Sequence, residues 1–246
     1  MSFTFDQECA LYQNEAEIHK ATWGRFVEYV NETPYLKEHR DFVEKNFLGF
    51  GDRAFHWLWK LLVDEMPQEF SFLEVGVYCG QVLSLVPYIA SKQGKQCKTY
   101  GVTLLNRFNG EKPGATQFPD VNYLERIRFL HEHFGIPLSL ERLLIGSSID
   151  PEIQARAREL PKFDMVYIDG CHDYKYVISD LQTYGAMVKP GGYLIVDDSS
   201  CNLKMWWGAF PGIDDVSRAV EDVIISSSEW EHKLAVMHDR VFLRRR

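Results

Sequence analysis

Asp169, His172, Asp197 and Asp198 are the residues whose types and spacing best suit chemistry in this chain. The apolar run Met165–Ile168 leads into Asp169-Gly-Cys-His172-Asp-Tyr, and Tyr193–Val196 leads into Asp197-Asp198. Apolar runs that end on carboxylates read as strands of an open α/β sheet, whose carboxyl ends border the ligand crevice. The three aspartates are therefore expected to converge at one mouth. Oxygen donors gathered there suit a divalent cation such as Mg²⁺, which binds oxygen and keeps several waters, and nothing in the sequence separates Mg²⁺ from Mn²⁺. Two plainer readings stay open: the Asp197-Asp198 pair caps a helix or ends a strand, or the carboxylates hydrogen-bond a substrate without metal. His172 titrates close to neutral pH and can accept a proton there; alternatively it is a loop residue held by Asp173 or Tyr174.

The elements that must position these groups follow from the hydrophobic rhythm. Residues 1–69 read as a helical cap, with Ala21–Val30 and Phe42–Val63 carrying apolar residues at three- and four-residue intervals. Pro67 closes that segment. From residue 70 to 246, short apolar strands alternate with helical stretches: Ser71–Val75, Thr99–Val102, Leu140–Ile145, Met165–Ile168 and Tyr193–Val196, interleaved with helices at Gln81–Gln93, Tyr123–Phe134, Ile153–Leu160 and Tyr176–Met187, then Asp214–Ser226. Alternation of this kind predicts βαβ units, a mostly parallel sheet and a doubly wound α/β fold with helices on both faces. His232–Met237 and Arg240–Arg244, split by a short connection, predict an antiparallel hairpin at the C-terminal end.

Bulk properties narrow the partners. The chain carries 27 Lys and Arg against 35 Asp and Glu, a net charge of −8, which argues against a nucleic-acid surface and for a small-molecule substrate. Five scattered cysteines without a Cys-x-x-Cys pair fit free thiols in a reducing cytoplasm. The first residues lack a signal-like pattern and no apolar run is long enough for a membrane.

Phe72-Leu-Glu74-Val-Gly76-Val-Tyr78-Cys-Gly80 is an apolar strand entering a turn with two glycines. The Gly-x-Gly-x-x-Gly spacing of a dinucleotide site is absent. Together with Tyr-Ile-Asp-Gly-x-His-x-Tyr, Asp180-Leu181, Lys-Pro-Gly-Gly and Asp-Asp, this turn resembles the class I S-adenosylmethionine-dependent methyltransferases. Within them it is most similar to the metal-dependent small-molecule O-methyltransferases, including catechol-type and macrolide-sugar enzymes. The resemblance spans about residues 70–200 and implies a Rossmann-like methyltransferase fold.

It further implies that Glu74, Gly76, Tyr78 and Gly80 border the methionine part of S-adenosylmethionine, with Asp169 nearby. Thr103 stands where an acid usually holds the ribose hydroxyls, and Ser147, followed by Ser148, stands where an acid is common near adenine. A hydroxyl makes a weaker bond there than a charged acceptor; Asn106 and Arg107, just past Thr103, are either ordinary loop residues, the plainer reading, or groups that compensate. By the same resemblance Asp169, Asp197 and Asp198 hold a divalent cation, Mg²⁺ or another, and His172, with Asp169, serves catalysis as the base beside the attacking hydroxyl. Beyond the acidic pair, Trp206, Trp207 and Phe210 form an aromatic stretch expected to wall the substrate, with loop packing or a homo-oligomer contact as the other readings.

The expectation is methyl transfer from S-adenosylmethionine to a hydroxyl of a small natural product or sugar. The rivals are another reaction on the same fold, such as hydroxylation or ring formation, and a non-catalytic ligand-binding protein.

Overall fold

A computed structural model describes residues 2–105 and 121–246. Four helices come first: α1 (Phe5–Leu11), α2 (Ala16–Glu32), α3 (Pro34–Asn46) and α4 (Ala54–Asp64). Thr4 and Gln7 form a reciprocal cap on α1, and Pro34 starts α3, where a missing N–H costs nothing. The alternating part follows as β1 (Glu69–Val75), α5 (Gln81–Lys92), β2 (Gln96–Thr103), α6 (Tyr123–His133), β3 (Leu143–Ile145), α7 (Pro151–Arg158), β4 (Phe163–Ile168), α8 (Tyr174–Thr183), β5 (Val188–Val196) and α9 (Asp214–Val220). The hairpin β6 (Trp230–Val236) and β7 (Asp239–Arg244) ends the fold. Among the described residues, no helix is long and apolar enough to cross a membrane.

The sheet order is β3-β2-β1-β4-β5-β7-β6; β1 to β5 are parallel, and β7 runs antiparallel to both β5 and β6. The chain winds outward in both directions from β1 and β4, so the crevice of the fold lies above the carboxyl ends of those two strands. Register makes that crevice shared: Val75 pairs with Val102 and Ile168, and Ile168 with Val196. Gly76, Thr103, Asp169 and Asp197 therefore leave the sheet side by side.

Each sheet face is sealed by its own apolar layer. On one, Trp59 of α4 packs edge-on against Phe72 and Tyr167, 5.6 and 5.0 Å between ring centres, and Phe5, Phe26 and Leu58 belong to the same core. On the other, Phe163, Val166 and Leu194 pack with Leu181, Tyr184 and Val220. Helices 1 to 4 thus share a core with the sheet.

Four expectations need correction. The stretch Phe42–Val63 is two helices, because Phe47 adopts a left-handed conformation (φ 54°) that ends α3, and residues 47–53 form a loop. Leu140–Arg142 is a 3₁₀ turn, leaving β3 only three residues. The stretch Tyr176–Met187 starts earlier and breaks at Thr183, with a 3₁₀ turn over Gly185–Met187. Asp214–Ser226 divides into α9 and a π turn over Glu221–Ile225, a geometry that hydrophobic periodicity does not report.

Candidate active site

The turn after β1 has little freedom. Gly76 has φ 96°, and a Cβ there would stand 1.8 Å from the Asp169 carbonyl oxygen; only glycine lets the ends of β1 and β4 approach so closely. Tyr78 is also left-handed (φ 48°) and its ring lies 4.9 Å from Phe50 and 5.5 Å from Tyr123. Above these strand ends opens a cavity of about 430 Å³, bordered by Gly76, Tyr78, Thr103, Ser147, Ser148, Asp169, His172, Asp197, Asp198 and Phe210 among others. Most of the residues singled out from the sequence therefore meet in one place.

The side under β1, β2 and β3 is neutral. The Thr103 hydroxyl oxygen accepts the Leu105 N–H at 3.3 Å, which leaves its own hydrogen to donate. The Ser148 carbonyl accepts from Tyr184 Oη (2.8 Å) and Gln154 Nε2 (3.2 Å), and that of Ser147 accepts the Asp150 N–H, so the serine turn is tied down from beneath. Asp180, fully buried close to Gly170, is pushed up to about 7 by burial, against the opposing pull of the Ser148 hydroxyl. Asn106 and Arg107 lie outside the described residues.

The side under β4, β5 and the hairpin is acidic. His172 Nε2 stands 3.6 Å from Asp169 Oδ1 and 3.5 Å from Asp198 Oδ2. Tyr167 Oη donates to Asp169 Oδ2 at 3.3 Å. Burial, then the charges of Asp197 and Asp198, push Asp169 well above the usual carboxylate range. Burial and Asp197 raise Asp198 to about 6, with His172 and His238 pulling the other way. For Asp197 burial also opposes ionisation, but Asp239, His238, Asp169 and His172 around it bring the net result below the ordinary value. Asp198 is left-handed (φ 53°), locked by the returning chain: Ile213 N–H donates to its carbonyl at 2.8 Å, and a Cβ on Gly212 would meet that carbonyl at 2.3 Å.

Two groups here escaped the sequence reading. His238, in the turn between β6 and β7, brings Nε2 to 3.4 Å from Asp197 Oδ1 and 3.9 Å from Asp198 Oδ1. Asp239 beside it is fully buried, and burial together with Asp197 drives it well above the carboxylate range. The available signal was topological: a strand antiparallel to β5 puts its preceding turn at the carboxyl ends of the parallel strands. Phe50, in the loop between α3 and α4, also lines the cavity. Its carbonyl accepts from Arg40 Nη1 at 3.2 Å and Gln81 Nε2 at 3.2 Å, and Arg40 Nη2 binds the Gly51 carbonyl at 2.8 Å.

Other sequence candidates stand away from the main cavity. Glu74 lines a smaller cavity of about 60 Å³ behind Gly76, and accepts a backbone N–H from Leu83 in the first turn of α5; burial and then Asp169 push it far upward. Gly80 is the N-cap of α5 in a left-handed conformation, packed against Ile127. Trp206 leans on Trp23 of α2, 5.6 Å between ring centres, and Trp207 is 98% exposed; neither borders the cavity. Of the aromatic stretch, Phe210 alone does, its ring edge-on to His238 at 5.2 Å.

The residues fit a cation: Asp197, Asp198 and His238, though not Asp169, each offer a donor atom within 4.8 Å of the others, and Asp197 Oδ1 is sealed from solvent with no partner of hydrogen-bond geometry among the described residues. They also fit an organic cofactor over the strand ends, since the turn from Gly76 to Tyr78, Thr103 and the serine turn border one cavity large enough for it.

A doubly wound sheet with a glycine turn after its first strand and a ligand cavity at its switch point defines a Rossmann-like methyltransferase fold. The sequence profile of the family described as "Methyltransferase domain" matches residues 73–199, just over half of the chain, and the protein belongs to that family. No curated protein sequence matches the chain. Among solved structures it is similar to the O-methyltransferase from Bacillus cereus in complex with SAH (13% identity, 92% of this chain and 99% of that one, TM-score 0.58). It is also similar to O-methyltransferase TomG from Streptomyces achromogenes, involved in tomaymycin synthesis and solved with SAM (12%, 93% and 99%, TM-score 0.58), and to O-methyltransferase NovP (16%, 78% and 80%, TM-score 0.57).

Proposed function

We propose that this protein transfers a methyl group from S-adenosylmethionine to a hydroxyl of a small molecule, a natural product or sugar, with a divalent cation at the acidic side of the cavity. The observation that carries this reading is the single cavity in which the Gly76 turn and the Asp169, Asp197 and Asp198 carboxylates face each other. The SAM and SAH carried by the TomG and Bacillus cereus structures support the choice of donor.

In this reading Gly76 and Tyr78 cradle the methionine end of the donor, while the Thr103 hydroxyl and the serine turn hydrogen-bond its nucleoside end. Asp169, Asp197 and Asp198 hold the cation; when bound, it lowers the pKa of an acceptor hydroxyl. His172 Nε2, beside Asp169 and Asp198 at the edge of the cavity, takes the proton from that hydroxyl as the oxygen attacks. Phe50 and Phe210 flank the entrance, orient the acceptor by apolar contact and exclude water. Alignment of oxygen, methyl carbon and sulfur supplies the larger part of the rate.

The test is calorimetric titration with S-adenosylmethionine, with and without divalent cations, followed by a screen of hydroxylated acceptors for release of S-adenosylhomocysteine. Saturable donor binding and cation-stimulated release are expected. A protein that ignores the donor at millimolar concentration would sink the reading.

A further inference from the structure

We propose that His238 is itself a ligand of the cation, so that Asp197, Asp198 and His238 Nε2 form a mixed nitrogen and oxygen site that prefers a first-row transition ion over Mg²⁺. The proposal rests on the cation in the function proposed above, puts His238 in the place of Asp169 among its ligands and adds a selectivity.

The fold delivers His238 to this place. Val196 pairs with Arg240 across β5 and β7, and Ser199 N–H donates to the His238 carbonyl at 2.9 Å, so the hairpin turn is pinned to the segment that carries Asp197 and Asp198. Met237, the other residue of the turn, takes a left-handed conformation (φ 52°) that a non-glycine residue enters at a cost. The ring is held on two sides: Phe55 and Phe210 present edges to it at 4.8 and 5.2 Å. The side chain is about nine-tenths buried, yet Nε2 faces the carboxylates and the cavity.

The distances fit ligation better than a hydrogen bond. Nε2 stands 3.4 Å from Asp197 Oδ1 and 3.9 Å from Asp198 Oδ1, outside the range of a strong charge-assisted bond. Ligands bound at roughly 2.1 Å to one metal lie about 3.0 Å apart at octahedral edges and about 3.4 Å apart at tetrahedral ones. A small inward shift would satisfy either. A second observation is Asp197 Oδ1 itself, sealed from solvent, with no partner of hydrogen-bond geometry at that atom and the His238 ring as its neighbour. Fully buried Asp239 packs against Asp197 from behind, the place from which an outer carboxyl orients a ligand. His172, its side chain 38% exposed, reaches in from the other side, with Nε2 between Asp169 and Asp198. An all-oxygen set suits Mg²⁺, whereas an imidazole in the set suits Mn²⁺, Fe²⁺, Co²⁺ or Zn²⁺.

The experiment titrates the intact protein with Mn²⁺ and with Mg²⁺ at neutral pH, without methyl donor or acceptor, and records pulsed electron paramagnetic resonance of bound Mn²⁺. Expected are binding of Mn²⁺ at least about tenfold tighter than Mg²⁺ and a coupling to one directly bound nitrogen. His238→Asn, its fold checked by circular dichroism, should lose that coupling and about tenfold or more in Mn²⁺ affinity, while His172→Asn keeps the coupling. Equal affinity for the two ions, no nitrogen coupling in the wild type, or a coupling that survives His238→Asn overturns the proposal. Methyl transfer without any bound cation also overturns it, but leaves the transferase reading intact; failure to bind S-adenosylmethionine removes the transferase reading and leaves cation binding unaffected.

Discussion

The two sides of the cavity differ in what holds them together. Under β1, β2 and β3 the lining is glycine backbone and hydroxyls on a frame fixed from beneath: Leu105 N–H binds the Thr103 oxygen, and Tyr184 and Gln154 bind the Ser148 carbonyl, which leaves the Thr103 hydrogen to meet a ligand. Under β4, β5 and the hairpin, Asp169, Asp197, Asp198 and Asp239 crowd against one another, and three of the four resist ionisation. One side is neutral and tied down as folded; the other stores electrostatic conflict. Conflict of this sort is tolerated where a site is built for charge that comes from outside.

Replacing Asp169 by Asn breaks the acidic side most directly. Turnover should fall by about 10³-fold, while the cation-free protein gains about 1 kcal/mol at neutral pH because a carboxyl that must take up a proton on folding is replaced by a neutral amide; a melting scan paired with a rate assay reads both. His172→Ala should lower turnover by about 10²-fold with donor affinity unchanged by calorimetry. Unchanged turnover would return His172 to the status of a loop residue.

On the neutral side the effects are smaller. Thr103→Val should weaken donor binding by about fivefold, the loss of one neutral hydrogen bond, and leave the response to cations untouched, which would confirm that the sides act separately. Asp180 gives the mildest test. With its carboxyl at about 7 when folded against an ordinary 3.8, the folded state holds a proton that the unfolded chain releases. Stability from this group is therefore full below about pH 4 and declines as pH rises toward 7. Asp180→Asn should flatten that part of the stability profile by about 1–3 kcal/mol, followed by denaturant unfolding at several pH values.

The sequence made the strand side of the cavity legible and the packed-on parts much less so. Asp169, Asp197 and Asp198 could be placed together because each follows an apolar strand, and parallel strands bring their ends to one edge. His238 and Asp239 read as ordinary turn residues, since their approach depends on β7 pairing with β5 more than forty residues away in sequence. Phe50 was hidden inside what looked like one long helix, as apolar spacing runs on through Phe47 although the backbone reverses there. The aromatic stretch was recognised by composition, but which ring faces the cavity is decided by docking against α2: Trp206 is drawn onto Trp23, and Phe210 is left to face inward. Glu74 shows the opposite case, a motif residue whose strand parity turns it toward the start of α5.

The buried guanidinium of Arg40 fastens the segment around Phe50 through main-chain carbonyls alone, with Gln81 as a second anchor. Neither fastening reads the side chain at position 50, whereas Leu48 is buried in the core and Asp52 accepts from Trp23 Nε1. A different side chain at that one position would reshape the mouth of the cavity while the strands beneath it stay unchanged.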